Sequence, residues 1–210
     1  MPDLDFACLG ADADRFAIGP TINVHVRITE TTGASIHGLA LRCQLRVEPV
    51  RRGYNDDEGE RLSDLFGERS RWGDTLKPLQ FAFVSLMVPG FTDSTDVVLQ
   101  IPCSYDVDVA AHKYLYALEQ GTVPLLLLFS GTMFTTGPAG IAVFPVPWHK
   151  EARLDLPVAV WRSAMEQHFP GTAWLRLSRE RFDALYLYRS RHGLTGWDDT
   201  VDRLLKEADE

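Results

Sequence analysis

The sequence predicts an α+β protein, with an antiparallel β-sheet or sandwich over residues ~16–145 followed by a C-terminal helical segment. Three observations carry this expectation. Apolar and polar residues alternate across residues 22–47, residues 123–134 are almost wholly apolar, and Val158, Trp161, Met165 and Phe169 recur at helical spacing.

Ile22, Val24, Val26 and Ile28 alternate with Asn23, His25, Arg27 and Thr29. Leu39, Leu41, Cys43, Leu45 and Val47 alternate with Ala40, Arg42, Gln44 and Arg46. Each strand thus has one face for a core and one for water, as antiparallel strands do. Thr31-Thr32-Gly33 is turn-like, so residues 20–50 are expected to form a hairpin that Pro49 ends. Residues 51–78 then break the pattern. Their start is polar, and Leu62, Leu65 and Phe66 suit one side of a short helix. A connection this long in a compact domain is either functional or a surface insertion held by Leu65, Phe66 and Trp72.

Strands are expected again at 81–88 and 97–101, with Pro89-Gly90 as a turn. Tyr105, Val107 and Val109 alternate with Asp106 and Asp108, whereas 110–118 suits strand or helix. The apolar run at 123–134 reads as a strand buried on both faces. Gly137-Pro138-Ala139-Gly140 reads as a turn before a short strand at 141–144, and Pro145 and Pro147 suit a sheet edge. Pro157 opens a helix that Pro170-Gly171 stops. Ser178 suits the N-cap of a second helix, with Phe182, Leu185, Tyr186 and Arg189 on one face. Thr195-Gly196-Trp197-Asp198 resembles a capping box before a third, with Trp197, Val201, Leu204 and Leu205 on one side. The expected organisation is a β domain over 1–148, interrupted by an irregular insertion at 51–78. A helical segment over 149–210 is expected to pack on it as one compact unit.

Composition narrows the function. The chain has 210 residues, 45% hydrophobic and 24% charged, which is ordinary for a folded protein. A net charge of −8 disfavours nucleic acid and anionic membranes as partners. The three cysteines, Cys8, Cys43 and Cys103, are odd in number and widely spaced, so no disulfide framework is implied and a reducing compartment fits. Asp3, Asp5, Asp12 and Asp14, with no early Lys or Arg, do not read as a signal peptide. The longest apolar stretch, 123–129, contains Pro124 and is too short to span a bilayer. The expectation is a cytoplasmic protein.

No phosphate-binding glycine loop, G-x-S-x-G elbow, paired CxxC or H-E-x-x-H motif is present. Cys103, Asp106, Asp108 and His112 are of the right types to hold a transition metal, but their spacing matches no standard site. The alternative is one half-buried thiol and two solvated carboxylates. Asp56, Asp57, Glu58 and Glu60 lack the ligand pattern of an EF-hand and read as a solvated acidic turn. His25 and His37 could each approach Cys43, or have no special partner. Arg51, Arg52, Arg69 and Arg71 could hold an acidic partner or pair with neighbouring carboxylates. Trp148, Trp161, Trp174 and Trp197 should mostly be core, with one or two exposed members forming a docking patch. The expectation is a non-enzymatic accessory protein with no catalytic set and no cofactor. Its partner contacts would involve Arg51, Arg52, Tyr54, Phe66 and Trp72. The alternative is a metal-handling or redox protein using Cys43, Cys103 and nearby His or Asp.

Two resemblances bear on this. Arg51-Arg52-Gly53-Tyr54, Leu65-Phe66-Gly67-Glu68, Arg71-Trp72, Val88-Pro89-Gly90-Phe91, the stretch from Pro124 to Thr132, and Val146-Pro147-Trp148 are similar to an uncharacterised actinobacterial family. Its members tend to be encoded beside uptake nickel–iron hydrogenase genes. The resemblance covers nearly the whole chain and implies a hydrogenase-associated accessory or assembly protein, with a hydrogenase subunit or precursor as partner. Residues 156–170, with Leu175, Leu177 and Phe182-Asp183-Ala184-Leu185, are similar to the end of the SecB export chaperone, which implies a holdase. The 51–78 insertion and the divergent tail depart from that family.

Overall fold

Side-chain alternation decides what each strand buries, and among the described residues eight strands use it to build two antiparallel sheets. The computed structural model describes residues 2–104, 109–137, 140–172 and 175–209. The chain divides into two units, Met1–Ala173 and Trp174–Glu210. The first contains β1 (Leu4–Ala13), β2 (Thr21–Glu30), β3 (Ile36–Val47), β4 (Leu79–Phe91), β5 (Ser94–Pro102), β6 (Thr122–Gly137), β7 (Gly140–Pro145) and β8 (Glu151–Pro157). One sheet has the order β1-β2-β5. The other has the order β4-β3-β6-β7, with β8 also paired to β6. Ile22, Val24, Val26 and Ile28 of β2 share one core with Leu39, Leu41, Cys43 and Leu45 of β3 and with Leu125, Leu127 and Phe129 of β6. Phe6 of β1 stacks on Phe129 at 4.0 Å, which joins the two sheets as a sandwich.

The α+β class and the antiparallel sheet agree with expectation, but several local features differ. β2 and β3 do not form a hairpin: β2 pairs with β1 and β5, and β3 with β4 and β6. The cause lies in Glu30, which is buried at the end of β2. Its carboxylate accepts from the backbone N–H groups of Asp3, Thr32 and Ala34 at 3.0, 2.9 and 2.8 Å, turning the chain from one sheet into the other. Pro89-Gly90 lies inside β4 rather than in a turn. Gly90 faces β3 closely, since a Cβ there would be 2.8 Å from the His37 carbonyl oxygen. The sheet also extends past residue 148, because β8 occupies part of the stretch expected to be helical.

β6 is 16 residues long and is shared along one edge: β8 pairs with Thr122 to Leu128, and β7 with Thr132 to Gly137. Gly131 stands at the changeover with φ +150°, and a Cβ there would lie 2.1 Å from the Ala40 carbonyl oxygen. Only glycine fits.

Among the described residues, five α-helices belong to this unit: α1 (Asp56–Arg61), α2 (Ser63–Phe66), α3 (Trp72–Thr75), α4 (Ala110–Ala117) and α5 (Val158–His168). α4 settles the ambiguous stretch as helix and buries Ala111, His112, Tyr114 and Leu115. α5 follows Pro157, as expected, and buries Val158, Trp161, Ala164 and Met165. Among the described residues, no helix is long and apolar enough to cross a membrane.

The second unit holds α6 (Arg179–Arg191) and α7 (Trp197–Ala208). Ser178 caps α6 as expected, its Oγ accepting from the Arg181 N–H at 3.4 Å. The N-cap of α7 is Gly196 rather than Thr195, and Asp199 accepts from the Gly196 N–H at 3.2 Å. The two helices meet through Phe182 and Trp197 at 5.4 Å, with the Arg189 guanidinium 4.3 Å from the Trp197 ring. Trp174 and the alternation at 105–108 lie outside the described residues.

Candidate functional site

The 51–78 insertion is ordered around a buried ion pair. Asn55 caps α1, its side chain accepting from the Glu58 N–H at 2.7 Å while Glu58 reaches back to the Asn55 N–H at 3.4 Å. This capping box draws Glu58 inward, so it is not part of a solvated acidic turn. Its side chain is 2% exposed and that of Arg52 12%. Arg52 Nη2 donates to both Glu58 oxygens at 2.9 and 3.1 Å and to the Gln120 carbonyl at 3.2 Å. Glu58 also accepts from the Glu119 N–H at 3.2 Å. The pair therefore fastens the insertion to the segment after α4.

An aromatic cluster lies beside it. Tyr54 packs edge-on against Trp72 at 5.1 Å, and Phe66 meets Trp72 at 6.1 Å and Tyr114 of α4 at 6.2 Å. The Tyr54 and Tyr114 hydroxyls are 2.7 Å apart, and Tyr54 donates to the Pro49 carbonyl at 2.7 Å. Burial pushes both phenol pKa values up, so both stay protonated. Trp72 Nε1 donates to the Gly67 carbonyl at 3.0 Å. Ion pairs between Lys113 and Asp64, and between Arg61 and Glu119 at 2.8 Å, add further ties to α4 and its following turn.

Four of the five expected contact residues, Arg52, Tyr54, Phe66 and Trp72, thus converge, but largely inside the protein. Phe66 and Trp72 are buried, and only Arg51, paired with Glu48 at 3.2 Å, stands exposed. Arg69 pairs with Asp56 at 2.6 Å, so three of the four arginines singled out, Arg51, Arg52 and Arg69, are held by carboxylates, as is Arg61. Glu58 and Tyr114 were missed by sequence reasoning. The signal for Glu58 was its spacing of three from Asn55.

Cys103 and His112 are both buried, and Asp106 and Asp108 lie outside the described residues. Among the described residues, no group of three or more His, Cys, Asp or Glu could hold a metal ion. Burial pushes the Cys8 thiol up to about 11 and the Cys103 thiol up to about 12. Cys43 is likewise raised to about 12 by burial, with Cys8 adding to the effect. His25 pairs with Asp12, and His37 with Thr136, so neither approaches Cys43. Of the tryptophans beyond residue 140, Trp161 is core, whereas Trp148 is 90% exposed and Trp197 is partly exposed.

A second feature was not anticipated. The outer face of the five-stranded sheet carries Phe83 (73% exposed) and Met87 (68%) on β4, and Ile141 (76%) and Val143 (58%) on β7. Between them lie Ala40 of β3, opposite Met87 and Thr132, and Phe134 of β6, opposite Val143. The centre is a shallow depression of about 520 Å³ lined by Ala40, Arg42, Ser85, Met87, Ser130 and Thr132. Apolar side chains at the water-facing positions of 83, 87 and 143 were the available signal.

A search of curated proteins found no match. Among solved structures, the chain is similar to a protein assigned to the late embryogenesis abundant (LEA) group, at 13% identity, 76% of this chain, 75% of that one and a TM-score of 0.31. It is similar to β-glucosidase 3B from Thermotoga neapolitana at 15% identity and a TM-score of 0.27, over 73% of this chain but 17% of the glucosidase. It is similar to a protein designated ApaA from Bordetella pertussis at 14% identity, 74% of this chain, 95% of that one and a TM-score of 0.25. Likenesses this loose leave the chain's own geometry to carry the functional argument. One family model matches from end to end, over residues 1–210, and by that match the chain belongs to the family of unknown function DUF6084.

Proposed function

We propose that this chain is a non-enzymatic accessory protein that holds another protein on the outer face of its five-stranded sheet. A subunit or precursor of a nickel–iron hydrogenase is the partner that the family resemblance suggests. The observation that supports the reading is the exposure of Phe83, Met87, Ile141 and Val143 across two strands at opposite edges of one sheet. Exposed large apolar side chains gathered on one face of a folded protein are a mark of a contact site. The insertion residues Arg52, Tyr54, Phe66 and Trp72 then serve by fixing the end of the sandwich, and Arg51 is the one placed to touch a partner.

The test is co-purification of a tagged full-length chain with the cell's hydrogenase, in parallel with a Phe83→Ser/Val143→Ser variant. Both substitutions are at exposed positions and should leave the fold intact. The expected result is hydrogenase enriched by the parent and lost with the variant. Equal recovery with both chains would reject the outer face as the contact site, and recovery with neither would reject the hydrogenase as the partner. The same exposed surface also suits the SecB-like holdase alternative, for which suppression of aggregation of a model client is the discriminating assay.

A further inference from the structure

β3, β4, β6 and β7 contain no Asp or Glu, although the chain has 29 acidic residues. Their only charged side chains are Arg42 and Arg46, with His37 beside them. Strand register places both arginines on the outer face. Arg42 lies between Ser85 and Ser130, and Arg46 between Gln80 and Leu126. The neighbouring inward positions, Leu41, Cys43, Leu45 and Val47, are all buried. Carboxylates begin only with β8, where Glu151 stands opposite Leu128 and is paired with Arg153 at 3.6 Å. The surface is thus apolar and cationic within a protein whose net charge is −8.

We infer that this face selects an acidic, amphipathic protein segment, with apolar side chains seated on Phe83, Met87, Phe134 and Val143 and carboxylates meeting Arg42 and Arg46. The inference rests on the proposed protein-binding role and adds the chemistry of the partner. Opposite charge raises the encounter rate and excludes like-charged competitors, while the apolar contacts hold the complex. A strand-edge or helical segment satisfies the requirement, provided it carries Glu or Asp beside its apolar residues.

The experiment uses the full chain and two fluorescent peptides. One alternates Leu with Glu, and its twin has Lys in place of every Glu. Binding is read by anisotropy at low and high salt. The acidic peptide should bind at least about tenfold more tightly than the Lys twin, with the gap closing as salt screens the charges. Arg42→Glu should remove most of that preference while leaving the thermal melt unchanged, and Arg42→Gln should give an intermediate effect. Equal affinity for the two peptides, preference for the Lys twin, or binding to neither would overturn the inference. Hydrogenase recovered through Phe83 and Val143 without any charge preference would sink this inference alone. Charge preference without hydrogenase recovery would sink only the identity of the partner.

Discussion

Replacing Glu58 by Gln tests whether the insertion is anchored by its buried ion pair. Gln keeps the volume but only one acceptor oxygen, so only one of the Glu119 and Asn55 N–H groups, which bond to different Glu58 oxygens, can stay bonded, and the negative charge is lost. The Arg52 guanidinium, 12% exposed, is then left without its counter-ion. Breaking a buried pair by removing one member costs about 3–5 kcal/mol, and the slight exposure of Arg52 favours the lower end. For a unit of this size, about 3 kcal/mol corresponds to a fall in Tm of roughly 6–12 °C. The partner substitution is Arg52→Met, which keeps an apolar stem near the Tyr54 ring, now 5.1 Å from the guanidinium. The double variant should lose much less than the sum of the two single losses, with a coupling of about 2 kcal/mol by differential scanning calorimetry. A Glu58→Gln shift below about 2 °C, or additive losses, would show that water already solvates the pair and that something else holds the insertion.

Two further predictions concern the sandwich itself. Gly131→Ala should cost about 3–4 kcal/mol in urea unfolding, because the new Cβ overlaps the Ala40 carbonyl oxygen at 2.1 Å and the backbone is left-handed. Gly33→Ala, at φ +80° with open space around it, should cost only about 1 kcal/mol, and similar losses at both sites would refute the packing argument. The three thiols, with pKa values raised to between about 11 and about 12, should resist a disulfide reagent in the native protein at neutral pH and react fully once it is unfolded. Rapid native labelling of Cys43 or Cys103 would favour the redox alternative.

What the sequence displayed was faces; what it concealed was neighbours. The alternation in β2 and β3 identified the buried residues of those strands apart from Glu30 and Ile36 at their ends, because side chains two apart must share a face. It could not say which strands would lie side by side. A turn-like Thr31-Thr32-Gly33 argued for a hairpin, and only the burial of Glu30 under three backbone donors diverts the chain across the sandwich. β1 was hidden by a bulge between Cys8 and Gly10, which shifts the alternation midway along the strand. β8 was legible in Ala152, Leu154 and Leu156 alternating with Glu151, Arg153 and Asp155, but lay beyond the expected end of the sheet. In the insertion, Arg51, Arg52 and Arg69 and a run of acids gave a correct sense of local pairing. The run concealed that Glu58, unlike Asp56 and Asp57, turns inward as the N3 residue of a capped helix.

The two outer faces of the sandwich offer an internal control for the functional argument. They belong to one chain and meet the same solvent, so average composition would make them alike. The outer face of the three-stranded sheet is polar: Asn23, His25, Arg27 and Thr29 alternate along β2. Arg27 pairs with Asp96 at 2.7 Å, and His25 with Asp12. Its apolar exceptions, Leu9 and Val98, are single residues. The five-stranded sheet reverses this, with aromatic and aliphatic side chains in the water-facing positions of β4 and β7 and no carboxylate on any of four adjacent strands. Burying such side chains in a contact would return roughly 25 cal/mol for each Å² removed from water. Folding alone gains nothing from leaving them exposed. The asymmetry between the faces is therefore a property of the second sheet that the sandwich core does not require, and it is the feature on which the proposed contact rests.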